Sequence, residues 1–251
     1  MCYSVKYLKD KLHKYAKHHD INDSQIPQLF DQHYTGGFAH PDLAVLPDSD
    51  PKTFHTFNWG LIPFWVKDIK TATKLSNQTL NARSETMFEK PSFRNSAMKR
   101  RCLIVVDGFY EYYHLDKQKI PYYIFKRDEQ AMLMAGLWEK WELPQEKIKR
   151  YTVSIVTTSA NKSLSKIHNN PTAVKRSGAR MPVIIPEELT SDWLKHEEEP
   201  TIEKEKILDL CQPYPDDLID YYTVAHSLGK SGVGNSPEAW KKHDYNLIGL
   251  P

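Results

Sequence analysis

The chain has 251 residues, 40% hydrophobic and 12% aromatic, enough for one large domain or two small ones with a substantial buried core. Its 34 basic and 32 acidic side chains leave a net charge of +2, which excludes a strong overall basic field but not local basic clusters able to hold nucleic acid. Cys2, Cys102 and Cys211 are too few and too far apart for a disulfide framework, no secretory leader is expected, and no run approaches the ~20 apolar residues of a membrane span; a reducing, cytoplasmic (nucleoid-associated) home is expected.

In residues 5–18, "VKYLKDKLHKYAKH", Val5, Leu8, Leu12 and Tyr15 recur near one helical face, which predicts a helix. Residues 30–50, rich in Gly, Pro, Asp and His, read as loop with short strands. "TFHTFNWGLIPFW" (53–65) predicts a strand running into a turn at Pro63, and residues 82–100 read as a helix interrupted at Pro91. "RCLIVVDGFYEYYH" (101–114) begins as a buried strand, "LDKQK" turns, and "IPYYIFKR" (120–127) returns as a hairpin partner. "AMLMAGLWEKW" (131–141), "RYTVSIVTTSAN" (150–161) and "MPVIIP" (181–186) add strands, the last followed by a helix around "EELTSDWLKH". The run "KHEEEPTIEKEK" (195–206) reads as solvated surface, and the segment from about 212 has little periodicity. Strands in hairpin-like succession with inserted helices predict an α+β fold, with mainly antiparallel sheets forming a barrel-like or sandwich core and peripheral helices. One domain over residues 1–235 and a C-terminal tail over 236–251 are expected, with no internal repeat.

Common motifs fail. "LGKSG" (228–232) lacks the first glycine of a phosphate loop, Val224 standing in its place. HExxH, GxSxG and zinc-type Cys/His spacings do not occur, and His18 and His19 read as surface residues, so neither metal nor cofactor is expected. Four polar residues stand out. Cys2 follows the initiator Met1; its small side chain permits methionine removal, which would leave an α-amine and a thiol on adjacent carbons, although a frayed terminus is the plainer reading. Asn81 opens "NARSET" (81–86), where it would also serve as a helix cap. Glu111 follows a buried strand amid aromatics, where a surface lysine would equally pair with it. His168 in "SKIHNN" (165–170) follows the strand ending "TTSAN", a fitting place for a structural histidine.

Taken in chain order, "MC", "WGLIPFW" (59–65), "NARSET", "PSFR" (91–94), "RCLIVVDGFYEY" (101–112), "PYYIF" (121–125), "AGLWE" (135–139), "TTSAN" (157–161), "IHN" (167–169) and "RMPVII" (180–185) resemble the SRAP family, the SOS response-associated peptidases or abasic-site processing proteins. The likeness covers roughly residues 1–190. It departs at Tyr3 and Ser4, where many members have Gly-Arg, so a basic residue beside Cys2 is missing and Lys6 is the next one along. "NPTAVKRSGA" (170–179) intervenes where many members join the histidine directly to Arg-Met-Pro, and Tyr112 replaces the commoner Trp.

The resemblance implies an abasic-site sensor of the DNA damage response, with Cys2, Asn81, Glu111 and His168 as catalytic residues and Met1 removed, in one version by autoproteolysis. The chemistry suits the residues. A ring-opened abasic site is an aldehyde. The α-amine of Cys2 adds to C1′ and loses water to give a Schiff base, and the thiol then closes a five-membered thiazolidine. An α-amine pKa of roughly 7.7–8.0 leaves a neutral fraction at cellular pH. Glu111 would protonate the sugar ring oxygen, His168 would serve as a second acid/base, and Asn81 would hold the amine or sugar by hydrogen bonds. Arg83, Arg94, Arg180, Lys175 and Arg176 are the candidates for phosphate, and Trp65, with Trp59 and Phe64, for stacking on unpaired bases, although such aromatics also serve as core. The expected partner is single-stranded DNA containing abasic sites; no membrane contact and a monomer are expected. Two other readings stand beside this one: a cysteine-type N-terminal-nucleophile peptidase or hydrolase using the same residues, and a nucleic-acid-binding module with an inert Cys2.

Overall fold

A computed structural model describes residues 2–116, 118–229, 231–247 and 250–251. The chain opens with β1 (Ser4–Tyr7), α1 (Lys9–His19), β2 (Gln32–Gly36), β3 (Asp42–Pro47) and β4 (His55–Trp59). It continues through α2 (Ile69–Gln78), β5 (Asn81–Arg83), α3 (Arg94–Lys99), β6 (Arg101–Val106), β7 (Gly108–Leu115), β8 (Gln118–Lys126), β9 (Met132–Leu143) and β10 (Ile148–Ser159). It closes with α4 (Lys162–Ile167), α5 (Pro171–Ser177), β11 (Arg180–Pro182), α6 (Thr190–Leu194), α7 (Pro200–Leu210) and β12 (Ile219–Thr223). The class is the expected α+β.

Five strands close on themselves as a barrel. β4 pairs antiparallel with β3, β3 with β6, β6 with β9 and β9 with β10, and a short parallel pairing of β10 with β4 completes the ring. The near-continuous apolar runs of β6 and β9 fit strands buried on both faces, and Val45, Ile104, Met134 and Val153 are fully enclosed. β10 is long enough to outrun the barrel. Its C-terminal half carries β5 in parallel and β11 antiparallel. A second, five-stranded sheet has the order β12-β8-β7-β1-β2.

The chain passes from barrel to second sheet at Asp107-Gly108, between β6 and β7. A Cβ at Gly108 would overlap the Ile124 carbonyl on β8, so only glycine admits that close backbone approach. Asp107 forms a buried ion pair with Lys6, which therefore braces the sheet rather than serving as a surface cation near Cys2.

Three sequence expectations are corrected here. The helix expected from residue 5 begins at Lys9, because Val5 and Tyr7 alternate into the core as strand β1. The helix expected over 82–100 is strand β5, a run of turns and only then the short α3, since Ala82 packs beneath β10 in a parallel ladder. The charged run 195–206 is not all solvated surface. It includes most of α7, whose Glu203 is buried against Arg101, while His196 bridges Glu203 and Asp48. Arg101 is itself fully enclosed and donates to the Ala97, Trp193 and Lys195 carbonyls.

Cutting Arg101 back to an apolar side chain strands the Glu203 carboxylate, while Asp48 keeps the Arg101 backbone N–H, Trp138 and His196. Arg101→Leu should cost about 3–5 kcal/mol of unfolding stability in urea denaturation. A loss below about 1 kcal/mol would mean that water replaces the guanidinium and that α7 is held by other contacts.

Candidate active site

β1 is an interior strand, flanked by β2 and β7, with Ser4 opposite both Gly36 and Tyr110. One step further along the register of β1 and β7, Tyr3 faces Glu111. Antiparallel pairing thus sets the carboxylate beside the first residues of the chain. Cys2 is wholly enclosed, and its Sγ lies 3.7 Å from the Ser4 carbonyl oxygen. Burial, reinforced by the Glu111 charge, pushes its thiol up to about 12.

Alternation along β5 turns Asn81 and Arg83 to one side and buries Ala82. Asn81 Nδ2 donates to the Cys2 carbonyl at 2.8 Å, and Asn81 Oδ1 is a buried acceptor with no hydrogen-bond partner among the described residues. His168 is the C-cap of α4, whose N-cap is Asn161 of "TTSAN". Its Nδ1 sits 3.0 Å from both the backbone nitrogen and the carbonyl oxygen of Arg180, so β11 fixes the ring, and it lies 3.8 Å from Glu111 Oε2. The Tyr112 N–H donates to Glu111 Oε1 at 3.0 Å. Cys2, Asn81, Glu111 and His168 therefore meet where the second sheet abuts the strands carried by β10.

Two depressions share Tyr3 at this meeting point. One, about 820 Å³, is lined by Glu111 and His168 together with Tyr3, Phe38, Tyr112 and Arg176. The other, about 500 Å³, is more polar and includes Asn81, Arg83 and Lys90. Tyr3 stacks on the exposed ring of Phe38, with centroids 5.4 Å apart.

The outlying candidates divide. Arg83 lines the polar groove and Arg176, on α5, lines the larger cleft. Lys175, Arg94 and Trp65 are exposed but line neither depression. Trp59 is core, its indole donating to the Leu80 carbonyl at 2.8 Å. Arg180 is buried and committed to Glu85 and to the Thr157 carbonyl, so its charge is already spent within the protein. The segment 170–179 is chiefly helix α5, capped by Asn170, whose Oδ1 accepts from the Ala173 N–H at 2.9 Å.

Sequence reasoning missed Phe38, His114 and Asn169. Asn169 accepts from the His114 N–H and donates to its carbonyl, tying the His168 loop to β7. Phe38 had a signal, a large aromatic in a Gly-rich turn. The role of Asn169 had none before the topology was known.

A family model described as SOS response associated peptidase (SRAP) matches residues 1–231. The chain belongs to the SRAP family. It is 36% identical over 232 residues to the abasic site processing protein YoqW of Bacillus subtilis, a match covering 88% of this chain and 95% of that one. It is 30% identical to the abasic site processing protein HMCES of Xenopus tropicalis, over 76% of this chain and 58% of that longer one. A crystal structure of a protein from Bacteroides thetaiotaomicron superposes with a TM-score of 0.84 at 32% identity, covering 96% of this chain and all of the other. The SRAP match ends at residue 231. Beyond it, residues 237–245 lie against β12: Trp240 accepts from the Tyr222 hydroxyl, and the Tyr245 hydroxyl donates to Val224.

All three cysteines are buried; burial also pushes Cys211 up to about 12 and holds Cys102 well above the ordinary thiol value. Because the thiolate is the reactive form, a disulfide reagent at pH 8 should label the native protein on the order of 10³-fold more slowly than an ordinary thiol. The rate should climb as pH rises towards 12, and denaturant should release all three. Rapid labelling of one thiol in the native protein at pH 8 would contradict this burial.

Proposed function

We propose that this chain traps abasic sites in single-stranded DNA as a covalent thiazolidine on Cys2, after loss of Met1. The observation that carries the reading is the convergence of Cys2, Asn81, Glu111 and His168: Asn81 holds the Cys2 carbonyl, the Glu111 charge reaches the Cys2 thiol and His168 lies 3.8 Å from Glu111, between two depressions that share Tyr3. Asn81 already grips the Cys2 carbonyl, and its buried Oδ1 has no donor among the described residues; the N–H of a Cys2 α-amine would supply one. The amine adds to the aldehyde carbon, and Glu111 carries the protons of dehydration. His168, fixed by Arg180 and 3.8 Å from Glu111, serves as the second acid/base in sugar-ring opening and in reversal. The thiol then closes the ring.

The raised thiol pKa bears on the rival reading. A cysteine peptidase needs a thiolate, and burial with Glu111 alongside disfavours one at Cys2. An amine-first aldehyde trap has no such need, since the thiol attacks only after the Schiff base has formed. The names of the relatives, abasic site processing proteins, point the same way.

The deciding experiment removes only the thiol. Cys2→Ala, with Met1 still cleaved, keeps the amine and should form a Schiff base with single-stranded abasic DNA, trapped only by borohydride and accompanied by some strand cleavage. The wild type should give a heat-stable adduct without reductant. A heat-stable adduct from Cys2→Ala would assign the bond to another nucleophile, and no trappable species at all would favour the thiol-hydrolase reading.

Arg83 and Arg180 should separate in DNA binding. Arg83→Ala should lower the salt slope of single-stranded binding by about one phosphate contact. Arg180→Gln should lower the melting temperature and leave that slope unchanged, because its guanidinium is engaged with Glu85 and Thr157. A reduced slope in Arg180→Gln would mean that DNA displaces Glu85.

A further inference from the structure

α1 ends in His18 and His19, and the chain beyond β11 presents Glu187 to the same spot, at the start of a short 3-10 turn (Glu187–Leu189). His19 Nε2 lies 2.9 Å from Glu187 Oε1. One donor atom from each of His18, His19 and Glu187 lies within 4.8 Å of the other two. The His19 ring is held between Tyr15, at 4.3 Å, and the edge of His18, at 4.7 Å. The three residues border a cleft of about 920 Å³ whose lining shares no residue with the depressions around Cys2.

We propose that His18, His19 and Glu187 form a surface site for a divalent transition ion of the zinc class. Two imidazoles and one carboxylate, with no sulfur, are a donor set for zinc and its borderline neighbours rather than for calcium or magnesium. Zinc bonds of ~2.0–2.2 Å set tetrahedral donors roughly 3.3–3.5 Å apart. The His19–Glu187 pair is near that spacing already, and the exposed His18 ring closes the remainder by side-chain rotation. Water fills the open position. The carbonyl end of α1 adds partial negative charge, which favours a cation there. Lys14, which lines the same cleft, and Lys52, whose Nζ donates to the His19 carbonyl at 2.9 Å, oppose it. Both weaken the site relative to an enclosed structural zinc site. Bound, the ion ties the end of α1 to the segment after β11, and its effect is on stability.

The test uses the full chain, stripped with a chelator and titrated with zinc against a chromophoric competitor. One zinc per chain is expected, together with a rise in melting temperature at about 100 µM zinc. His18→Gln, His19→Ala and Glu187→Gln should each weaken binding at least about tenfold and abolish that rise, Glu187→Gln doing so with little change to the metal-free fold. Cobalt(II) should bind there without a thiolate-to-metal charge-transfer band. No binding at about 100 µM, or undiminished binding in Glu187→Gln, overturns the proposal; a charge-transfer band would put the ion on a cysteine and overturn it too. Because the site shares no lining residue with the depressions around Cys2, either result leaves the abasic-site reading where it stood.

Discussion

Residues near a chain end ordinarily fray, and they stay in one place only where neighbouring strands hold them. Here the first strand is clasped on both sides. The Gly37 N–H donates to the Tyr3 carbonyl and the Asp107 N–H to the Lys6 carbonyl, each at 2.8 Å, while Ser4 pairs with both Gly36 and Tyr110. Each such bond is worth only about 1 kcal/mol net, but together they fix Cys2 to within hydrogen-bonding tolerance of Asn81. The neighbours of Cys2 follow from this clasp. Register places Glu111 near Tyr3, and the turn after β2 lays Phe38 against the Tyr3 ring.

The remaining half of the site depends on β10. One strand pairs with β9, β4, β5 and β11, so it is at once a barrel stave and a bracket beyond the barrel. β5 brings Asn81 and Arg83, and α4, which directly follows β10, ends in His168. The site is therefore a seam: the second sheet supplies Cys2 and Glu111, and the bracket supplies Asn81 and His168. Asn169, bonded to both backbone groups of His114, closes that seam.

Much of this was legible in the residues. Strands β6 to β11 stood out because apolar and β-branched runs were long and their turns were marked, and the α+β class followed from their succession. Asn81, Glu111 and His168 could be picked out because each sits in a polar stretch among apolar ones, and Cys2 because it directly follows Met1. The failures have physical causes. Residues 5–7 are compatible with a helix and with a strand, and only pairing to β2 and β7, far along the chain, decides between them. Residues 81–83 are three residues long, too short for periodicity to speak. Glu203 looked like one more surface acid because its partner, Arg101, lies about a hundred positions away. Arg180 looked like a free cation for the same reason, its partner Glu85 being equally remote.

The position of β1 between β2 and β7 has a consequence for biogenesis. β2 ends at Gly36, but β7 begins only at Gly108. On a ribosome, the opening residues emerge long before their second neighbour exists, and with one flank open they stay accessible to solvent and to processing enzymes. In the folded chain Phe109 and Tyr110 lie opposite Val5 and Ser4, and Cys2 is in the interior. On the proposal that Met1 is lost, the window for that loss lies before β7 pairs with β1.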